Sequence, residues 1–119
     1  MGDNVLKTKS FDFAIRIVRL FQHLQTVKKE YVLTKQLLRC GTSVGAMIRE
    51  AEYAESKSAF VHKMAVAQKE INETLYWLEL LACTDYLTPK EADSLQTDAL
   101  ELLKMLTSTI KTAKANLLK

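Results

Sequence analysis

Glycine, proline, cysteine and histidine are all scarce in this 119-residue chain, which has three Gly, one Pro, two Cys and two His. Strands joined by tight turns draw heavily on Gly and Pro, so their shortage points to long helices. Cys40 and Cys83 lie far apart inside apolar stretches and offer no metal-binding spacing. Both read as small buried hydrophobes in a reducing compartment. No apolar run approaches the roughly 18 residues that a membrane span requires. Residues 1–10 contain no apolar run, so neither a signal peptide nor membrane attachment is expected, and the expected setting is the cytoplasm.

The same scarcity bears on chemistry. A di-iron bundle needs Glu-x-x-His on two helices, but His23 and His62 are the only histidines and neither follows a Glu by three residues. No HExxH, phosphate-binding loop or dinucleotide fingerprint occurs, and no Cys or His sits in a context that would activate a nucleophile. The reading is therefore of a protein without catalytic residues, metal or cofactor.

Hydrophobic residues make up 48% of the chain, enough for one continuous core in one domain. Their spacing predicts four amphipathic helices. The first is expected to start at an N-cap Ser10, leaving residues 1–9 as a flexible N-terminus, with Asp12 in its first turn. Its inward stripe is read as Phe11, Ala14, Ile15, Val18, Phe21 and Leu24, with Ile17 and Leu20 as alternatives. Lys28-Lys29-Glu30-Tyr31 breaks the pattern as a loop. The second helix runs from Thr34 to about Glu55, with Leu37, Cys40, Gly41, Val44, Ala51 and Ala54 inward. Gly41 and Gly45 share one face, where a close backbone approach would explain them.

The third helix is capped by Ser56 or Ser58, carries Phe60, Met64, Ala67, Ile71, Leu75, Leu78 and Leu81 or Ala82, and ends between Cys83 and Tyr86. Thr88-Pro89-Lys90-Glu91 is a capping box with Pro at the first helical position. The fourth helix follows with Ala92, Leu95, Ala99, Leu102, Leu106, Ile110, Ala113 and Leu117 inward, and Lys111, Lys114 and Lys119 toward the negative end of its dipole. Short loops make consecutive helices antiparallel, so the expected fold is an all-α, up-down-up-down four-helix bundle.

Net charge is only +3 but unevenly spread along the chain. Residues 1–49 hold nine Lys and Arg against three acids, residues 50–101 four against eleven, and residues 102–119 four against none. Up-down-up-down topology sets the first helix beside the fourth. That makes Arg16, Arg19, His23, Lys104, Lys111 and Lys114 a candidate phosphate-contacting surface. Between the second and third helices, Gln36, Arg39, Ser43 and Glu50 face Glu70, Glu73, Thr74 and Trp77. They read as a partly buried Arg–Glu network that fixes register, in which Arg39 pairs with Glu70 or Glu73.

The ordered set Gln36–Val44, Glu50–Ala51, Phe60–Glu70 and Glu73–Leu78, with Phe11 and Ala14, resembles the four-helix bundle family encoded in 23S rRNA intervening sequences. The resemblance covers about residues 10–84, and the fourth helix shares only the general character. It implies a pentameric, barrel-like assembly. The set is also similar to the accessory variability determinant of diversity-generating retroelements, which is basic and works with a reverse transcriptase on nucleic acid. The family pattern has small or polar residues where this chain has Cys40 and Gly41. Two functions follow as expectations. The first is an oligomeric accessory protein that binds RNA or DNA, with a protein partner such as a reverse transcriptase. The second is an assembly or docking module anchored by Tyr53, Tyr76, Trp77 and Tyr86.

Overall fold

The computed structural model describes residues 2–118, with side-chain surroundings from Val5 onward; Met1 and Lys119 lie outside the described residues. Four helices follow in order: α1 (Gly2–Thr26), α2 (Leu33–Glu52), α3 (Lys57–Cys83) and α4 (Pro89–Leu117). Each packs on its chain neighbours, and α4 returns to α1, closing an antiparallel up-down-up-down bundle of 51 × 22 × 21 Å.

The helix starts are set by side chains that satisfy free N–H groups. At α4 the full capping box is present: Thr88 Oγ1 accepts from Glu91 N (3.2 Å) while the Glu91 carboxylate accepts from Thr88 N (2.9 Å). Of the two serines offered for α3, Ser56 is the cap, its hydroxyl accepting from Ala59 N at 3.0 Å. At α2 the cap comes from farther back. The buried Glu30 carboxylate accepts from the backbone of Val32 (2.8 Å) and of Leu33, and Thr34 Oγ1 donates to the Glu30 carbonyl at 3.0 Å. The helix thus opens at Leu33, and it closes at Glu52, three residues short of the expected Glu55.

Helix α1 departs most from expectation. Ser10 is not its cap but a buried residue in mid-helix, its hydroxyl donating to the Lys7 carbonyl at 3.0 Å. Residues 2–9 are helical, because Leu6 extends the stripe of Ser10, Phe13, Ile17 and Leu24 by a further turn. That stripe is the buried one. Phe11 and Val18, expected inside, are exposed, Asp12 is exposed in mid-helix, and the alternative Ile17 is wholly buried. The reason lies on α2. A Cβ at Gly41 would stand 2.9 Å from both Cγ atoms of Ile17, and one at Gly45 3.5 Å from the Ser10 carbonyl oxygen. The two glycines open a trough that receives Ser10 and Ile17, and this sets the rotation of α1.

The remaining core follows the predicted periods. Leu37, Cys40, Val44 and Ala51 from α2, Met64, Ala67, Ile71, Leu78 and Leu81 from α3, and Ala92, Leu95, Ala99, Leu102, Leu106 and Ile110 from α4 are all buried. Each large aliphatic side chain among them contributes roughly 1.5–3 kcal/mol by leaving water. Leu117, expected inward, is exposed because α4 continues past the core. Cys83 is exposed as well, since the last turn of α3 turns it outward, while Cys40 is buried as expected.

Candidate nucleic-acid and assembly surfaces

The α1–α4 seam brings together the cations that the sequence singles out, and also acids that the division of charge along the chain concealed. Arg16 is committed: its guanidinium donates to Asp98 Oδ2 (2.6 Å) and to Ser94 Oγ (2.9 Å). Lys9 pairs with Glu101 at 3.0 Å on the same seam. Arg19, His23, Lys104, Lys111 and Lys114 are exposed. They form two groups rather than one patch. Arg19 and His23 lie toward the α4 N-terminus, Lys104, Lys111 and Lys114 along its C-terminal half, and Asp98 and Glu101 stand between. Counted over Pro89–Leu117, α4 holds four Lys against four Asp and Glu, so the basic excess is confined to its second half.

The α2–α3 network is present in part. One guanidinium nitrogen of Arg39 donates to Glu70 Oε2 at 3.2 Å and the other to Glu73 Oε2, which also accepts from Trp77 Nε1 at 3.0 Å. The Arg39 side chain is 51% exposed and that of Glu70 only 9%. The fork therefore closes over a buried carboxylate from the solvent side. Glu50 belongs to a separate pair with Lys63 (2.8 Å), while Gln36 is exposed and Ser43 half-buried outside the network. Beneath the fork, burial pushes the Cys40 thiol pKa up, away from the thiolate needed for reactivity.

No group of three or more His, Cys, Asp or Glu converges as a metal site would require among the described residues. A shallow cleft of about 570 Å³ beside the α2–α3 turn is lined by Arg49, Glu50, Tyr53, Glu55 and Lys63. The four proposed aromatic anchors do not share a patch. Tyr53 projects from the α2–α3 turn, Tyr86 is half-buried in the α3–α4 turn, and Tyr76 stands edge-on to Trp77, ring centroids 5.1 Å apart, on α3.

Two surfaces escaped the sequence reading. Phe11 and Val18, with Ile15 between them, form an apolar ridge on the outer side of α1, and the guanidinium of Arg49 from α2 sits 5.0 Å above the Phe11 ring. The second is the α1–α2 loop. Lys29 holds a left-handed φ of 57°, Glu30 N donates back to the Leu24 carbonyl (3.0 Å), and the Glu30 side chain turns inward to cap α2. Its neighbours Val27, Lys28, Lys29, Tyr31 and Val32 are left exposed. A mixed basic and apolar string inside a loop was the available signal, and its spacing alone reads only as a helix break.

With this geometry in view, comparison with known proteins is decisive on ancestry. The model of the 23S rRNA-intervening sequence protein family matches residues 3–108. The chain belongs to that family. The match takes in the first turns of α1 and most of α4. A crystal structure of a protein of unknown function from the S23 ribosomal protein family of Bacteroides thetaiotaomicron is similar at 52% identity and a TM-score of 0.92. The match covers 93% of this chain and 99% of that one. No curated protein matches the chain.

Proposed function

We propose that this intervening-sequence family protein is a non-enzymatic, self-associating bundle that contacts nucleic acid as an accessory protein. The observation that carries the reading is the set of exposed cations left after the ion pairs form. Lys104, Lys111 and Lys114 follow the last acid of α4, and Arg19 and the lysines of the α1–α2 loop make no ion pair among the described residues. Phosphate contacts by Lys and Arg need no exact constellation, and their effect multiplies when a strand crosses several subunits. The ridge of Phe11, Ile15 and Val18 supports self-association, for which five chains is our expectation. A protein partner such as a reverse transcriptase fits the same reading.

The non-enzymatic half rests on what the candidate reactive groups do. Arg39, Glu70 and Glu73 clamp two helices together, and Cys40 is sealed beneath them. No helix among the described residues is long and apolar enough to cross a membrane, and the reading sets the protein in the cytoplasm.

The test is a binding titration with RNA and DNA at low and moderate salt, comparing wild type with Lys104→Glu, Lys111→Glu and Lys114→Glu combined. Binding should be insensitive to base sequence, fall steeply with salt, and weaken in the triple variant. A wild-type chain that binds neither polymer at low salt would leave the assembly-module reading in its place.

A further inference from the structure

Folding sorts the residues of the α1–α2 loop by chemistry. Its one acid, Glu30, is buried, its carboxylate held by the backbone N–H groups of Val32 and Leu33. The other side chains are turned out: Val27 is 61% exposed, Tyr31 50% and Val32 74%, flanked by exposed Lys28, Lys29 and, on the first turn of α2, Lys35. On α4 the Glu91 carboxylate accepts from Thr88 N in the capping box, and its charge also reaches Lys28 and His23. Large exposed apolar groups on an ordered loop are costly in water. Here the loop is pinned by the Glu30 cap, the Thr34–Glu30 bond and the return of Glu30 N–H to Leu24, so its outward groups are arranged in advance of any partner.

We propose that this loop edge is a single-strand nucleic-acid contact, with Tyr31 as the base-stacking platform and Lys28, Lys29 and Lys35 on the phosphates to either side. The inference rests on the nucleic-acid reading above and names a site for it. An exposed aromatic bracketed by cations matches an unpaired polynucleotide, because every base offers a π-face and every link a negative charge. A duplex hides its base faces and would find only the lysines.

The surroundings favour a thin strand over a flat anionic surface. The opposite edge of the same bundle end, at the α3–α4 turn and the start of α4, carries exposed Asp85 and Asp93. A bilayer taking the whole end would press these acids against its own charge, whereas a strand can follow the loop edge alone. RNA and DNA share the recognised chemistry, so both serve as probes.

The experiment measures fluorescence anisotropy of labelled oligo-U, oligo-dT and a DNA duplex of equal length with the full chain, together with sedimentation on phosphatidylserine vesicles. Tyr31→Ala should weaken single-strand binding about tenfold and leave the duplex unchanged, and Tyr31→Phe should retain wild-type affinity. Lys28→Ala, Lys29→Ala and Lys35→Ala combined should reduce the salt slope for single strands by about two. Because all four side chains are exposed, the variants should keep the wild-type helical circular dichroism and unfolding midpoint. Oligo-U weakened and oligo-dT not, or the reverse, would assign the contact to one polymer and still support the site. Wild type that binds oligonucleotides with loop variants indistinguishable from it would overturn this site but leave the broader reading standing. No oligonucleotide binding at low salt would overturn both, and so would Tyr31-dependent binding to vesicles alone.

Discussion

Gly41 and Gly45 stand four residues apart on one face of α2, yet they differ in what a methyl group would meet. At Gly41 it would lie 2.9 Å from both Cγ atoms of Ile17, a β-branched side chain that is wholly buried and has no free rotamer to retreat into. At Gly45 the nearest atoms are at 3.5 Å, an ordinary contact. Alanine gains up to about 1 kcal/mol of helix propensity at either position, while overpacking a core costs about 1–3 kcal/mol. Urea unfolding should therefore show Gly41→Ala net destabilised and Gly45→Ala neutral or slightly stabilised. Equal effects at the two sites would mean that the trough does not set the rotation of α1. Arg39 is a second case in which exposure decides the magnitude. A buried pair broken on one side would cost about 3–5 kcal/mol, but half of this side chain is in water, where ion pairs contribute about 0–1 kcal/mol. Leaving the Glu70 carboxylate uncovered adds to that, so Arg39→Ala should destabilise by about 1–2 kcal/mol. A double-mutant cycle with Glu73→Gln would find the coupling, and additive losses would refute it.

At the scale of the helix, the ends are where chemistry and stability meet most plainly. Thr88→Ala removes one acceptor from the α4 capping box and should cost about 1 kcal/mol. The backbone N–H of Thr88 holds the Glu91 carboxyl below its ordinary pKa. A group depressed in the folded state stabilises fully above its unfolded pKa and loses that contribution as pH falls through its folded value. The capping contribution should thus be intact near neutrality and fade below the usual carboxylate range. Thermal unfolding of Glu91→Gln between neutral and acid pH should show a flatter profile than wild type there, and an unchanged profile would exclude the linkage.

For the whole molecule, folding redistributes what the chain lays out in line. The acid-rich middle of the sequence extends into the first half of α4, so Asp98 and Glu101 land opposite Arg16 and Lys9 and neutralise the centre of the α1–α4 seam. The apolar surplus of α1 is displaced outward, as the ridge of Phe11, Ile15 and Val18. If that ridge joins chains, Phe11→Glu with Val18→Glu should lower the mass measured by light scattering at micromolar concentration without changing helical circular dichroism, because neither side chain is in the core. A wild-type monomer under those conditions would refute self-association outright.

The number of helices, their order and most of their inward positions were legible in the chain, since α2, α3 and α4 each have one clear apolar stripe and local caps such as Ser56 and the Thr88–Glu91 box act within a few residues. The pairing of Arg39 with Glu70 and Glu73 was legible too, because antiparallel neighbours bring those turns level. Helix α1 was different. Between Phe11 and Leu24 it is apolar on almost every side, so periodicity admits two stripes, and the choice was made on another helix by the space beside Gly41 and Gly45. The candidate contact surfaces were decided the same way: Arg16 lost its freedom to Asp98, and Lys28, Lys29 and Tyr31 became a coherent edge only when Glu30 turned inward. Local sequence determines what each segment can bury; which alternative it does bury, and which charges stay free, depends on partners that only the folded chain brings within reach.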